Sequence, residues 1–212
     1  MSTGFVILAA GAGRRMGGVA KCLLELNGAS LLERLLRQTQ PLRGAARHDL
    51  VLVLGHHAAD IQAHLARLPA DLVPLCVINP RPDDDTASSL RAGLRALSPG
   101  VQQVAVLLAD QPLIDQADIS AALQAFATRA PGIRVQVPVV HGQPGHPVLF
   151  DAQVRADLLA REQPSLRQWR AAHPQAVGLW AVDNPHYTRD LDTPQDLLAL
   201  ARETRWTWRW PG

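Results

Sequence analysis

The segment Leu8-Ala9-Ala10-Gly11-Ala12-Gly13-Arg14-Arg15-Met16-Gly17-Gly18-Val19-Ala20-Lys21 joins small residues to three cations in one short stretch. Glycine and alanine let a backbone come close to a ligand, and consecutive free N–H groups form a nest for phosphate oxygens, with Arg14, Arg15 and Lys21 as compensating charge. Two familiar phosphate patterns do not match. No Gly-Lys-Ser/Thr follows, so this is not a P-loop; the third glycine of the dinucleotide fingerprint is missing, and two arginines stand where the helix would begin. A glycine-rich turn with solvated arginines accounts for the same residues equally well. Lys21 adds a separate signal: the chain has 21 basic residues and every one except Lys21 is arginine. Whatever replaced lysine elsewhere spared this position.

Carboxylates supply the second kind of chemistry. Asp110 follows the apolar run Val104 to Ala109, and an aspartate at the carboxyl end of a buried strand is a hard oxygen ligand suited to Mg²⁺ on substrate phosphates. Its alternative duty, capping the next helix, falls more naturally to Asp115. In Asp190-Leu191-Asp192-Thr193-Pro194, strand-like alternation puts Asp190 and Asp192 on one face. A helix start needs one capping side chain, which Thr193 or Asp192 can provide, so the extra carboxylate is a candidate second metal ligand. Asn79-Pro80 through Ser88-Ser89-Leu90-Arg91-Ala92-Gly93 offers hydroxyls and helix N–H groups to a base or ribose. Gly142-Gln143-Pro144-Gly145-His146-Pro147 has the rigid-turn composition of a substrate flap. Each of these two also reads as an ordinary turn.

These residues need elements to hold them. Apolar runs of strand length alternate with amphipathic segments of helix length, which predicts an α/β layer fold with a mainly parallel sheet. Strands are expected at Phe5 to Ala10, Asp49 to Leu54, Val73 to Ile78, Val104 to Ala109, Ile133 to Pro138, Val148 to Phe150 and Val177 to Val182. Ser30 with Glu33 predicts a capping box, Ser88 a helix start before Leu90, Asp115 a cap for the segment through Phe126, and Thr193-Pro194 a last helix to about Glu203. The Pro/Gly-rich stretch from Val135 to Pro147 reads as a surface loop or flap. Ligands of open parallel sheets collect at the carboxyl ends of strands, where the order of strands reverses.

Composition excludes several classes. With 212 residues, 47% apolar and 19% charged, the chain has the makings of one globular domain, taken as 1–212 with a core of about 4–203 and an aromatic tail, 204–212. No apolar run approaches the roughly 20 residues of a membrane-spanning helix, and the first run has no signal-peptide flanks, so a cytoplasmic protein is expected. The net charge of +2 argues against a nucleic-acid surface, and Cys22 and Cys76 are too few and too far apart for a disulfide framework or zinc knuckle. His56, His57, Asp60 and His64 read as a solvated helix start rather than a metal cluster. Arg205-Trp206-Thr207-Trp208-Arg209-Trp210 reads as an edge strand or tail packed on the body or on a partner chain.

From Phe5 to about Ala201 the order of these segments resembles the nucleotidyltransferases that act on the molybdenum cofactor. Within that family, Leu-Ala-Ala-Gly, Ser-Ser-Leu-Arg-Ala-Gly, Asp-Gln-Pro, Gly-His-Pro and Asp-x-Asp-Thr-Pro together resemble the cytidylyltransferase branch. The resemblance implies a three-layer, Rossmann-like nucleotidyltransferase fold with a mostly parallel mixed sheet. It implies that Leu8, Ala9, Ala10, Gly11, Gly13, Arg14, Arg15 and Lys21 hold the triphosphate, with Asn79, Ser88 and Ser89 by the base and ribose. Asp110 and Asp192 would hold Mg²⁺; Lys21, Arg15 and Asp110 would act in catalysis; Gly145, His146 and Pro147 would face a molybdopterin acceptor. The implied reaction moves CMP from CTP to the phosphate of molybdopterin and releases pyrophosphate. A GTP-using guanylyltransferase, a sugar-phosphate nucleotidyltransferase and a non-catalytic cofactor carrier are the alternatives, and a molybdoenzyme apoprotein or its chaperone is the implied recipient. The chain departs from the family at Asp83-Asp84-Asp85-Thr86, where a glycine is common; carboxylates there suit a triphosphate site only if they point to solvent.

Overall fold

The computed structural model describes residues 2–42, 49–83, 86–160 and 164–210. Its main sheet starts with β1 (Thr3–Ala9), an apolar run whose side chains alternate between the two faces. The small strands β2 (Glu25–Leu26) and β3 (Ala29–Ser30) come next, and α1 (Leu31–Thr39) leads to β4 (Leu50–Leu54). The chain continues through α2 (Ala58–Leu65), β5 (Leu75–Ile78), α3 (Thr86–Ala96), β6 (Gln103–Leu108) and α4 (Gln116–Ala127). Then follow β7 (Val135–Val140), β8 (Gln143–Pro144), β9 (Val148–Asp151), α5 (Ala152–Leu159) and α6 (Leu166–Ala172). β10 (Val177–Ala181), α7 (Pro194–Thr204) and β11 (Trp208–Arg209) complete it.

The strand order is β10-β7-β9-β6-β1-β4-β5, with β8 folded back on β7. β9 runs antiparallel to both β6 and β7, while β6, β1, β4 and β5 are parallel neighbours. Helices cover both faces. Phe5, Ile7 and Leu52 pack under Leu32, Leu36, Ile61 and Phe126 of α1, α2 and α4. On the other face Val6, Val53 and Val106 meet Leu90, Leu94, Val154 and Trp169 of α3, α5 and α6. Strands buried on both faces must be apolar throughout, which is why the first runs showed no polar alternation. The path moves outward from β1 to β5 and returns to β6 on the other side of β1. The strand order therefore reverses between β1 and β6, and a crevice opens at their carboxyl ends.

A separate antiparallel sheet, β11-β2-β3, stands beside this crevice. Leu24 and Leu26 pack there with Leu191, Leu197 and Leu200, so α7 is anchored next to β2. The aromatic tail joins this layer: Trp208 and Arg209 pair with β2, Arg209 bonds Glu25 at 2.7 Å, and Trp206 lies under the Arg34 guanidinium.

Three local expectations change. Ser30 accepts from the Glu33 N–H, but the Glu33 carboxylate pairs with Arg37 instead of closing a capping box, because a full charge one turn on is a stronger partner than a backbone amide. α3 begins at Thr86, so Ser88 and Ser89 lie inside its first turn rather than ahead of it. Val135 to Pro147 is not a loop: β7 and β8 form a hairpin across it, because buried valines outweigh the Pro/Gly signal.

Candidate functional site

β1 delivers the chain to the glycine loop. Gly13 adopts φ 61°, and the amides of Met16 and Gly18 donate to its carbonyl at 2.9 and 3.0 Å, folding the loop on itself. A Cβ at Gly13 would lie 2.1 Å from the Val19 carbonyl oxygen, so no other residue keeps this turn. The short 3₁₀ turn Lys21–Leu23 then brings Lys21 inward.

On the opposite wall the carboxylates come together from distant parts of the chain. Leu191 N–H donates to the Asp110 carbonyl at 3.0 Å, tying the segment after β6 to the segment before α7. Thr193 and Asp196 cap α7 reciprocally, which fixes the backbone at Asp192 and leaves its carboxylate free to face the loop. Lys21 Nζ donates to Asp110 Oδ2 at 2.5 Å and to Asp192 Oδ1 at 2.9 Å. Arg15 meets the other Asp192 oxygen at 2.8 Å.

The electrostatics follow from that geometry. Burial works against the Lys21 charge, but Asp110 and Asp192 outweigh it and hold the ammonium pKa above its ordinary value. Burial alone would raise the Asp192 carboxyl; Lys21 and Arg15 reverse this and draw it below the usual range. Asp190 is pushed up to about 6 by burial and then by repulsion from Asp110. Cys22, beside Lys21, is pushed up to about 12 by burial and is an inert thiol.

The residues fit a divalent cation. Asp110 and Asp192 are hard oxygen donors that remain 24% and 35% exposed, and Asp190 Oδ1 is buried nearby with no hydrogen-bond partner. Ligand atoms of Asp115, Asp118 and His186 also lie within 4.8 Å of one another. That cluster is already satisfied, since the Asp118 carboxylate accepts from Asn184 at 2.7 Å and is paired with His186 at 2.8 Å, tying the Asn184 to Tyr187 turn to α4.

Leu8, Ala9, Gly11, Gly13, Arg14, Arg15, Lys21, Asp110 and Asp192 all line one cleft of about 190 Å³. This is below the roughly 300–1,000 Å³ that encloses a whole organic ligand, so a nucleotide and its acceptor must extend beyond it. Ala10 is not in its wall; the residue is buried against Gly55, where an added Cβ would meet the Ala10 Cβ at 2.8 Å. Asn79, Ser88 and Ser89 are brought together outside it, with Asn79 Nδ2 donating to the two hydroxyls at 2.8 and 2.9 Å. Gly145, His146 and Pro147 join β8 to β9 outside the lining of this cleft, where His146 N–H donates to the Tyr187 carbonyl and its Nδ1 is 3.3 Å from the Val106 carbonyl.

Two site residues escaped the sequence reading. His56 Nδ1 and His57 Nε2 lie 3.0 and 3.2 Å from the carbonyls of Ala10 and Ala12, and His57 lines the cleft. They stand at the start of α2, where His57 is the N-cap residue, and they also brace the glycine loop. Only the position of β4 beside β1 makes this contact, and no local pattern encodes it. Asp83 is turned to solvent, with its side chain 65% exposed, and it also bonds Arg14 at 2.9 Å and His56 at 3.1 Å, while Asp84 and Asp85 lie outside the described residues.

An α/β nucleotide-handling enzyme is the class that this crevice and its neutralised carboxylates define. More narrowly, the chain belongs to the family of the MobA-like NTP transferase domain, whose family model matches residues 5–177. It is 32% identical to the molybdenum cofactor guanylyltransferase of Pseudomonas syringae pv. syringae over 202 residues, 92% of each chain. It is 30% identical over 202 residues to the nicotine blue oxidoreductase of Paenarthrobacter nicotinovorans, covering 92% of this chain and 94% of that protein. The manganese complex of Rv0371c from Mycobacterium tuberculosis H37Rv superimposes with a TM-score of 0.70 at 25% identity, over 95% of this chain and 99% of that one. Among the described residues no helix is long and apolar enough to cross a membrane.

Proposed function

We propose that this nucleotidyltransferase moves the nucleotidyl group of GTP to the phosphate of molybdopterin and releases pyrophosphate. The observation that carries the transfer is the meeting of Lys21 with Asp110 and Asp192 at the mouth of the glycine loop. Guanine and the molybdopterin acceptor are supported by the relative at 32% identity that is named for guanylyl transfer to this cofactor. Cytidylyl transfer is the second reading, supported by the five motifs in their order. The Ala10 methyl lies against Gly55 and leaves the cleft wall untouched, so it does not narrow the cleft against a purine base.

The acceptor phosphate is an anion at neutral pH, so attack on the α-phosphorus needs no general base. The work that remains is alignment and charge neutralisation of an in-line displacement. Loop N–H groups from Ala9 to Gly13 cradle the phosphates. Lys21 leaves its carboxylates for the α-phosphate oxygens, and Arg15 steadies the leaving pyrophosphate. Asp110 and Asp192 would hold the divalent cation, Mg²⁺ in this reading, which when bound neutralises phosphate charge. Asn79, Ser88 and Ser89 set the turn over which the base lies, and the Gly145-His146-Pro147 segment faces the acceptor.

Incubation of the purified protein with Mg²⁺, molybdopterin and each of the four nucleoside triphosphates tests this. GTP should give the highest kcat/KM for pyrophosphate release. A higher value with CTP promotes the cytidylyl reading, and no release with any of the four rejects both.

A further inference from the structure

The Lys21 ammonium stands between the carboxylates of two distant segments, 2.5 Å from Asp110 Oδ2 and 2.9 Å from Asp192 Oδ1. Arg15 holds the second Asp192 oxygen at 2.8 Å, so both oxygens of that carboxylate face a cation of this chain. Mg²⁺ bonds carboxylate oxygens at about 2.0–2.1 Å and demands near-octahedral room around it. An ion that joins Asp110 to Asp192 has to stand where the ammonium stands. The two cannot share that place, by volume or by charge.

The two resident cations are not equal. The Arg15 side chain is 69% exposed, whereas that of Lys21 is 18% exposed and is carried inward by the 3₁₀ turn Lys21–Leu23. Its raised pKa keeps Lys21 an ammonium at neutral pH. Asp190, with Oδ1 buried and without a hydrogen-bond partner, adds a third carboxylate to the same wall. Withdrawal of Lys21 leaves these carboxylates short of a partner, which is costly unless another cation takes its place. Phosphate supplies the reason to withdraw. A triphosphate in the glycine loop is a multivalent anion beside Lys21, and a lysine is a point charge on a flexible stem that follows an oxygen without a fixed geometry.

We propose that Lys21 is an internal occupant of the divalent-cation site, held by Asp110 and Asp192 until a triphosphate draws it away, so that the metal enters with the triphosphate and not before it. By linkage the coupling is reciprocal, and the metal strengthens triphosphate binding by the same factor. The proposal rests on the transferase reading only in taking Asp110 and Asp192 as the cation ligands; neither the base nor the acceptor enters it.

Mn²⁺ binding without nucleotide, read from the electron paramagnetic resonance of the free ion, tests it in the full chain. Lys21→Met should bind Mn²⁺ at least about tenfold more tightly than wild type, and addition of Asp192→Asn to Lys21→Met should abolish the gain. Arg14→Gln removes one positive charge from the wall of the same cleft without touching either carboxylate, since Arg14 pairs with Asp83. It should stay within about twofold of wild type. If Lys21→Met does not fold, the wild-type protein decides. Lys21 is the one lysine in the chain, so lysine-labelled protein gives one side-chain NMR signal. Inorganic triphosphate with Mg²⁺ should shift that signal, and Mg²⁺ alone should not.

A shift with Mg²⁺ alone, or none with Mg²⁺ and triphosphate together, overturns the proposal, as does a gain in Arg14→Gln equal to that in Lys21→Met. Equal Mn²⁺ affinity in wild type and Lys21→Met, at a site that Asp192→Asn removes, also overturns it and leaves the cation site standing. Mn²⁺ binding that ignores Asp192→Asn in every background, or no binding at all, removes that cation site and the proposal together.

Discussion

Lys21 sits 2.5 and 2.9 Å from two carboxylates, a geometry that an ammonium satisfies and a guanidinium cannot reproduce in the same space. An ammonium is a compact point charge on a flexible stem, whereas arginine is a planar fork that requires a fixed bidentate partner. Lys21→Arg should therefore lose most activity while keeping its charge, with kcat falling more than KM rises, as steady-state kinetics of the purified variant will report. Turnover within about threefold of wild type, under roughly 0.7 kcal/mol in barrier, would mean that charge alone matters. Asp110→Asn and Asp192→Asn each remove a cation ligand and a partner of Lys21. Each should lower kcat at saturating Mg²⁺ at least about a hundredfold, near 3 kcal/mol; near-normal turnover in either variant removes that residue from the site. Lys21 was legible as the one lysine among 21 basic residues, Asp110 as a carboxylate at a strand end, and Asp192 as a carboxylate beyond what the next helix start requires. His56 and His57 were not legible, since their partners are carbonyls of a strand neighbour 46 and 45 residues away.

At the scale of elements, the glycine loop is the piece least tolerant of change. Gly13→Ala must hold a Cβ at φ 61° and 2.1 Å from the Val19 carbonyl, so the loop has to open. Left-handed backbone costs an L-residue about 1–2 kcal/mol before any clash is counted. Triphosphate affinity, read by equilibrium binding, should fall at least about tenfold; unchanged affinity would show that the loop does not cradle the phosphates. The positions of β1, β4 and β6 were read to within a few residues because their apolar runs are largely buried on both faces. The hairpin of β7 and β8 was misread because Pro138 and Pro144 announce a loop, whereas β7 is held by parallel pairing with β10 and antiparallel pairing with β9. β2, β3 and β11 hold two residues each, too few for any period to register.

The whole molecule is organised around the reversal of strand order between β1 and β6, which sets the glycine loop and Asp110 across one crevice. Alternation of strands and helices predicted the layers and the mostly parallel sheet, but it could not give the antiparallel direction of β9, because a four-residue run carries no signal of its direction. One core face of this sheet is filled by Phe126, fully buried with Ile119 and Ala122 of α4. Phe126→Ala should lower unfolding free energy in urea by about 3–5 kcal/mol, with little effect on kcat of the folded fraction, since α4 packs away from the crevice. A loss below about 1 kcal/mol would mean that the packing around α4 is looser than described. Following the phosphorus atoms tests the transfer itself. Wild-type protein is given Mg²⁺, molybdopterin and GTP labelled at either the α- or the γ-phosphate. α-Label should pass into a molybdopterin dinucleotide while γ-label leaves as pyrophosphate, in equal amounts and only when acceptor is present. Release of γ-label as inorganic phosphate, or no α-label in the pterin product with any triphosphate, would contradict the transfer.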